Sequence, residues 1–145
     1  MNSANQEEAI RILFQNIMNA WNRGDGVLYA SFFTLNSDYI TFEGQHLKGR
    51  EENAIFHEKL FAGFLKDSIL FGQIMSIRFL SPEVALVHQT GGVQLSFQKQ
   101  KSQSRLSINT NVLLKEQSEW RVAAFHNCRI QKPSFISRFF KFLFN

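Results

Sequence analysis

The side chains of this sequence that could do chemistry are imidazoles and amides: His57, His88, the pair Asn109 and Asn111, and the dipeptide His126-Asn127. An imidazole titrates near neutral pH and can serve as a weak general base. An amide both donates and accepts, so the set could orient a carbonyl or hydroxyl. Asn109 and Asn111 alternate with Ile108, Thr110 and Val112 and therefore share one strand face. Buried among aliphatic neighbours without a partner, such an amide costs about 1–3 kcal/mol, so protein, water or ligand must satisfy it. His57 reads as a solvated helix position and His88 as a hydrogen-bonded sheet residue. The four histidines and the lone Cys128 show no HExxH or CxxC spacing, and the GDG and GG steps lead into neither GK[ST] nor GxGxxG. No metal and no cofactor are expected.

These residues must be positioned by elements that the pattern makes legible. From Arg105 to Ile130 the sequence reads as two strands joined by the polar turn Glu116-Gln117-Ser118-Glu119. Leu106, Ile108, Thr110, Val112 and Leu114 form one face of the first strand, and Ser107, Asn109, Asn111 and Leu113 the other. In the second, Trp120, Val122 and Ala124 oppose Ala123 and Phe125. Upstream, Ile10, Leu13, Phe14, Ile17, Met18 and Trp21 form the apolar stripe of a first helix stopped by Gly24. Asp25 caps a short second helix that ends in the turn-forming Asn36-Ser37-Asp38. Tyr39 to Phe42 is a β-rich run, and a third helix is expected from about Arg50 to Gly63, with Arg50 bonded to a neighbouring carboxylate. Two more strands follow, Ile69 to Leu80 and Val84 to Phe97, the second interrupted by Gly91-Gly92 as if by a bulge or bend. Helices first and a sheet last is an α+β order.

A chain of 145 residues fits one domain with a single core. Sixteen phenylalanines against two tyrosines and two tryptophans suit the lining of an apolar cavity as well as its filling. The net charge is +4, but Lys and Arg are scattered apart from loose clusters in KQKSQSR and near the C-terminus, so nucleic-acid binding is not expected. One cysteine permits no internal disulfide, and MNSANQEEAI carries no basic, apolar leader, which makes a cytoplasmic protein the expectation.

The segments WNRGD (21–25), LKGRE (47–51), FLSPEVALVH (79–88) and EWRVAAFHN (119–127), in this order, resemble the nuclear transport factor 2-like superfamily, over roughly residues 5–131. Within it the sequence is most similar to the SgcJ/EcaC branch, near the SnoaL-like proteins. The resemblance implies a cystatin-like α+β domain over 1–131, a curved antiparallel sheet wrapped as a cone on three N-terminal helices, and a homodimer. Superfamily members include isomerases, cyclases, dehydratases, hydrolases and association modules. The isomerase design of phenol, carboxylate base and carboxylic acid would fall here on Ile17, Thr41 and either Thr110 or Asn111, none able to do that work. The implied pocket brings together Trp21, Phe33, Tyr39, Phe61 and Phe125, with Thr41, Asn109, Asn111 and Asn127 as its polar members. A small apolar ligand is the expected partner. A SnoaL-like cyclase, isomerase or hydrolase acting on an apolar carbonyl compound is one alternative, and a ligand-free association module is another. The segment 132–145 reads as an amphipathic tail that packs as a lid on its own domain or a partner, with membrane contact as the lesser alternative.

Overall fold

The computed structural model describes residues 3–101 and 105–131. Helix α1 (Ser3–Asn22) buries Ile10, Leu13, Phe14, Ile17 and Trp21, the stripe expected from their spacing. Gly24 ends it at φ +66, donating from its N–H to the Trp21 carbonyl at 2.8 Å. Asp25 then accepts from the Leu28 N–H at 2.7 Å and caps α2 (Gly26–Ser31). A second carboxylate completes that end: Glu58 Oε1, on α3 (Gly49–Ala62), accepts from the N–H groups of Gly26 at 2.6 Å and Val27 at 3.1 Å. Contact is so close that a Cβ on Gly26 would stand 2.6 Å from the Glu58 backbone nitrogen.

Among the described residues, β1 (Phe33–Ile40), β2 (His46–Lys48), β3 (Ile69–Ser81), β4 (Val84–Gln94), β5 (Ser107–Glu116) and β6 (Glu119–Arg129) form one sheet in the order β2-β1-β6-β5-β4-β3. The fold is α+β as expected. The sheet is mixed, however, because β1 runs parallel to β6 while the other neighbours are antiparallel. The described helices line a cavity on one face, to which β1 and β3 both contribute although three strands lie between them. At about 4.8 Å per strand a flat sheet would hold them some 19 Å apart, so the sheet is strongly curved.

Three corrections concern its strands. Asn36-Ser37-Asp38 does not end a helix: these residues lie within β1, where the pairing with β6 breaks register between Phe33 and Asp38. Burial of Phe33, Ser37 and Tyr39 holds the segment extended, and its turn-forming polar residues occupy the break. Gly91-Gly92 is not a bulge either. Pairing of β3 with β4 runs unbroken from Ile69↔Gln94 to Ile74↔Gln89, and the glycines permit close approach, since a Cβ at Gly91 would collide with the Phe71 carbonyl. The bulges fall elsewhere, at Met75 and Leu80 of β3 and at Ala123 of β6. Finally, Arg50 meets no carboxylate among the described residues; its Nε and Nη2 donate to the Phe33 carbonyl at 2.9 and 2.6 Å, which ties α3 to the start of β1. The C-terminal tail, 132–145, lies outside the described residues.

The α2–α3 contact leads to a direct expectation for Gly26→Ala. The added methyl must push helix against helix, a destabilisation of about 1–3 kcal/mol measurable by urea unfolding. A variant as stable as the parent would mean that the two helices are less tightly packed than this.

Candidate functional site

A cavity of about 300 Å³ lies between the concave sheet face and the helices. The strand registers determine what lines it. Residues opposite one another on neighbouring strands share a face, so the buried Leu113 and Val122, which are paired, mark the inner side. Strict alternation from Val122 would turn Ala124, His126 and Cys128 inward. The extra residue Ala123 reverses the parity: Phe125, Asn127 and Arg129 face the cavity, while His126 and Cys128 are exposed outside.

Two rows follow. Tyr39, Phe125, Asn111 and Val87 are successive register partners across β1, β6, β5 and β4. Two residues further along, Asn127, Asn109 and Gln89 form an amide ladder, with Thr41 beyond the end of β1 at its flank. Within it Asn111 donates to Asn109 Oδ1 at 2.7 Å. The Oδ1 atoms of Asn111 and Asn127 are buried and have no hydrogen-bond partner among the described residues. Amides in this state hold unspent capacity to bind.

At the other end stands His57, only 1% exposed and ringed by aromatic side chains: Tyr29 at 4.3 Å between ring centroids, Tyr39 at 5.2 Å, Phe56 at 5.4 Å and Trp21 at 5.6 Å. Its Nδ1 lies 2.9 Å from the Asn53 carbonyl one turn earlier. A carbonyl only accepts, so Nδ1 carries the proton and Nε2 presents a lone pair. Burial pushes the imidazole pKa down from 6.5 to about 4, with the Asn53 hydrogen bond acting weakly the other way, so the ring is neutral at physiological pH. Burial likewise raises the phenols of Tyr29, well above its ordinary value, and of Tyr39, to about 12. The neighbouring Tyr39 phenol raises Tyr29 further, by charge and by hydrogen bonding, while hydrogen bonding from Tyr29 acts to lower Tyr39. Trp21 is fixed by its Nε1–H donating to Ser68 Oγ at 3.1 Å.

Trp21, Phe33, Tyr39, Thr41, Asn109, Asn111, Phe125 and Asn127 all line this cavity, as their positions suggested. Phe61 does not; it packs edge-on behind Trp21 at 5.1 Å and supports the wall from outside. His57 is the main reversal, since a solvated helix position was expected. Its signal was present in the stripe Asn53, His57, Phe61, the buried residues of α3 at i, i+4 and i+8. His88 lies on the outer face, its Nδ1 3.4 Å from Ser76 Oγ. Gln89, Arg105 and Arg129 also line the cavity and were missed, because only the register identifies them. Of the positions matching the isomerase design, Ile17, Thr41 and Asn111 face the cavity, and Glu43 is the only carboxylate lining it among the described residues. Those residues hold no cluster of side chains suited to a metal ion and no helix long and apolar enough to cross a membrane.

Solved structures share this architecture. A domain of unknown function with a cystatin-like fold from Nostoc punctiforme is 35% identical, with a TM-score of 0.84 over 99% of this chain and 87% of that one. An NTF2-like protein of unknown function from Shewanella oneidensis is 22% identical, with a TM-score of 0.70 over 85% of this chain and 98% of its own. An NTF2-like protein with a cystatin-like fold from Novosphingobium aromaticivorans is 18% identical, with a TM-score of 0.73 over 93% and 88%. This chain belongs to the same family as the cystatin-like domain from Nostoc punctiforme, and it shares its fold with the NTF2-like proteins. No family model and no curated protein matches it.

The buried neutral imidazole imposes a pH dependence. Between roughly pH 6.5 and 4 the unfolded chain takes up a proton that the folded one refuses, so stability falls as pH drops through that window, by about 3 kcal/mol in full. Urea unfolding at pH 7 and 4.5 should show the wild type losing on the order of 2–3 kcal/mol more than His57→Phe. Equal losses would place the imidazole in contact with solvent.

Proposed function

We propose that this protein binds a small, flat, largely apolar molecule carrying a carbonyl or hydroxyl group. The observation that carries the reading is the buried Oδ1 of Asn127, without a partner among the described residues, in an amide ladder on the wall of an otherwise aromatic cavity. A folded chain seldom keeps such groups in its interior without a partner, and a few polar groups on apolar walls are the common design of a small-molecule site. Binding is favoured over turnover. Among the described residues the carboxylate at the cavity is confined to Glu43, and an imidazole with a pKa of about 4 is a weak base. A SnoaL-like or SgcJ/EcaC-type enzyme would have to work through the amides and His57. The exposed free thiol of Cys128 is compatible with the cytoplasm.

The test uses prodan, a neutral naphthyl ketone whose emission reports hydrogen bonding at its carbonyl. Saturable binding is expected, abolished by the cavity-filling Asn109→Phe. Asn127→Leu should fold with unchanged or higher thermal stability, bind prodan about ten-fold more weakly, and shift its emission to the blue. Unchanged affinity and emission in Asn127→Leu would reduce the amides to scaffold.

Homodimerisation through the outer sheet face is the second part of the proposal. With the amides turned in, Ile108, Val112 and Leu114 of β5 point outward, Val112 between its register partners Leu86 and Ala124, and the described helices line the cavity on the opposite face. An apolar sheet face of this kind needs a cover. Light scattering should give a dimer that Val112→Glu converts to monomer. A monomeric wild type at high micromolar concentration would rule this out.

A further inference from the structure

We infer that the cavity is built for an apolar acid, its anion held at the mouth by Arg105 and Arg129. Arg129 is the register partner of Ser107 on the cavity face, and the Ile130 N–H donating to the Leu106 carbonyl at 2.9 Å carries the pairing on toward Arg105. Arg105 lies two residues before Ser107, just ahead of β5, so the two arginines come from the same end of the β5–β6 pair. Both arginines are half-buried and both line the cavity. Each guanidinium also lies over a phenylalanine of the rim, Arg129 over Phe42 at 4.1 Å and Arg105 over Phe64 at 5.3 Å. The two rings are 47% and 63% exposed, so they gain cover by holding the cations in place. Lys101 adds a third charge over Phe71, another lining residue, at 4.8 Å.

An anion at this end of the cavity takes charge-assisted contacts from both arginines, because the planar N–H fork of each guanidinium suits a carboxylate. Glu43 lines the same cavity and is the competing internal anion. The order along β6 then sets the ligand's layout: Arg129 at the mouth, Asn127 two residues in, Phe125 two further. At about 3.3 Å per residue this spans on the order of 13 Å, enough for a carboxylate, a polar middle and a flat ring system against Phe125 and Tyr39, which stack at 4.4 Å. The class that fits is a monocarboxylic acid with a rigid aromatic or alicyclic body. This inference rests on the binding reading above and adds the charge of the ligand to it.

Two fluorescent probes that differ by one anionic group separate the two ideas: 1-anilinonaphthalene-8-sulfonate and the neutral N-phenyl-1-naphthylamine. The sulfonate probe should bind about ten-fold more tightly than the neutral one, with an advantage that shrinks as salt rises. Arg105→Gln with Arg129→Gln should abolish the advantage, so that the two probes bind alike and salt no longer separates them, and 2-naphthylacetate should displace both probes from the wild type. Glu43→Gln, which leaves the arginines intact, should tighten the sulfonate probe a few-fold, so the inference stays testable if the double variant fails to fold. Equal affinity of the two probes in the wild type, or indifference of the sulfonate probe to Arg105→Gln and Glu43→Gln, overturns the anion site. In that outcome the cavity reading survives, provided Asn109→Phe excludes the neutral probe. If neither probe saturates, or if Asn109→Phe leaves both bound, both readings fall.

Discussion

The interior depends on how β6 lies against β5. One extra residue, Ala123, separates the pair Leu113↔Val122 from the pair Val112↔Ala124. Because side chains alternate with a period of two, a single inserted residue exchanges the faces of everything beyond it. Ahead of the bulge Trp120 and Val122 belong to the core; after it Phe125, Asn127 and Arg129 line the cavity. The same bulge sends His126 and Cys128 outward. Without it the cavity would carry alanine, histidine and cysteine where it now has an aromatic ring, an amide and a cation.

That register creates an inversion on β5. Its more aliphatic face, Ile108, Val112 and Leu114, is turned away from the helices, while Ser107, Asn109 and Asn111 are turned toward them. A sheet folding only to bury apolar area would choose the opposite face. The partners of the amides explain part of this choice: Asn111 bonds Asn109 internally, and the inner face still buries Leu113, Val87 and Ala85 completely. Among the described residues the Oδ1 atoms of Asn111 and Asn127 remain without a partner on the cavity wall, while Ser37, Asn53 and Trp120 keep such atoms elsewhere. Local disagreement with a packing rule of this kind is expected at sites of function.

Helix α3 supplies the opposite wall by a related compromise. Its inward stripe consists of Asn53, His57 and Phe61, and the imidazole is accommodated by returning its one N–H to its own helix backbone. The ring then behaves as a flat, neutral member of an aromatic cluster with Trp21, Tyr29, Tyr39 and Phe56. Arg50, through the Phe33 carbonyl, and Glu58, through the start of α2, tie this helix to its neighbours at both ends of the same layer.

Local chemistry made much of the molecule legible in advance. The apolar spacing of α1, the glycine stop at Gly24, the Asp25 cap and the β5–β6 hairpin each depend on residues adjacent in the chain, and each stands where its pattern indicated. The aromatic wall was foreseeable for Trp21, Phe33, Tyr39 and Phe125, because large apolar groups on converging elements have few places to go. Phe61, Gln89, Arg105 and Arg129 were not, and the reason is the same for all four, whereas His57 had left its signal in the helical stripe of α3. Whether a residue faces the cavity, backs its wall or meets solvent depends on pairing between distant segments, and one bulge or one helix rotation reverses the answer without changing any local preference. The sequence by itself determined the elements, their order and the stock of aromatic and amide side chains. Tertiary structure alone decided which face of each strand looks inward, and with it which of those side chains form a site.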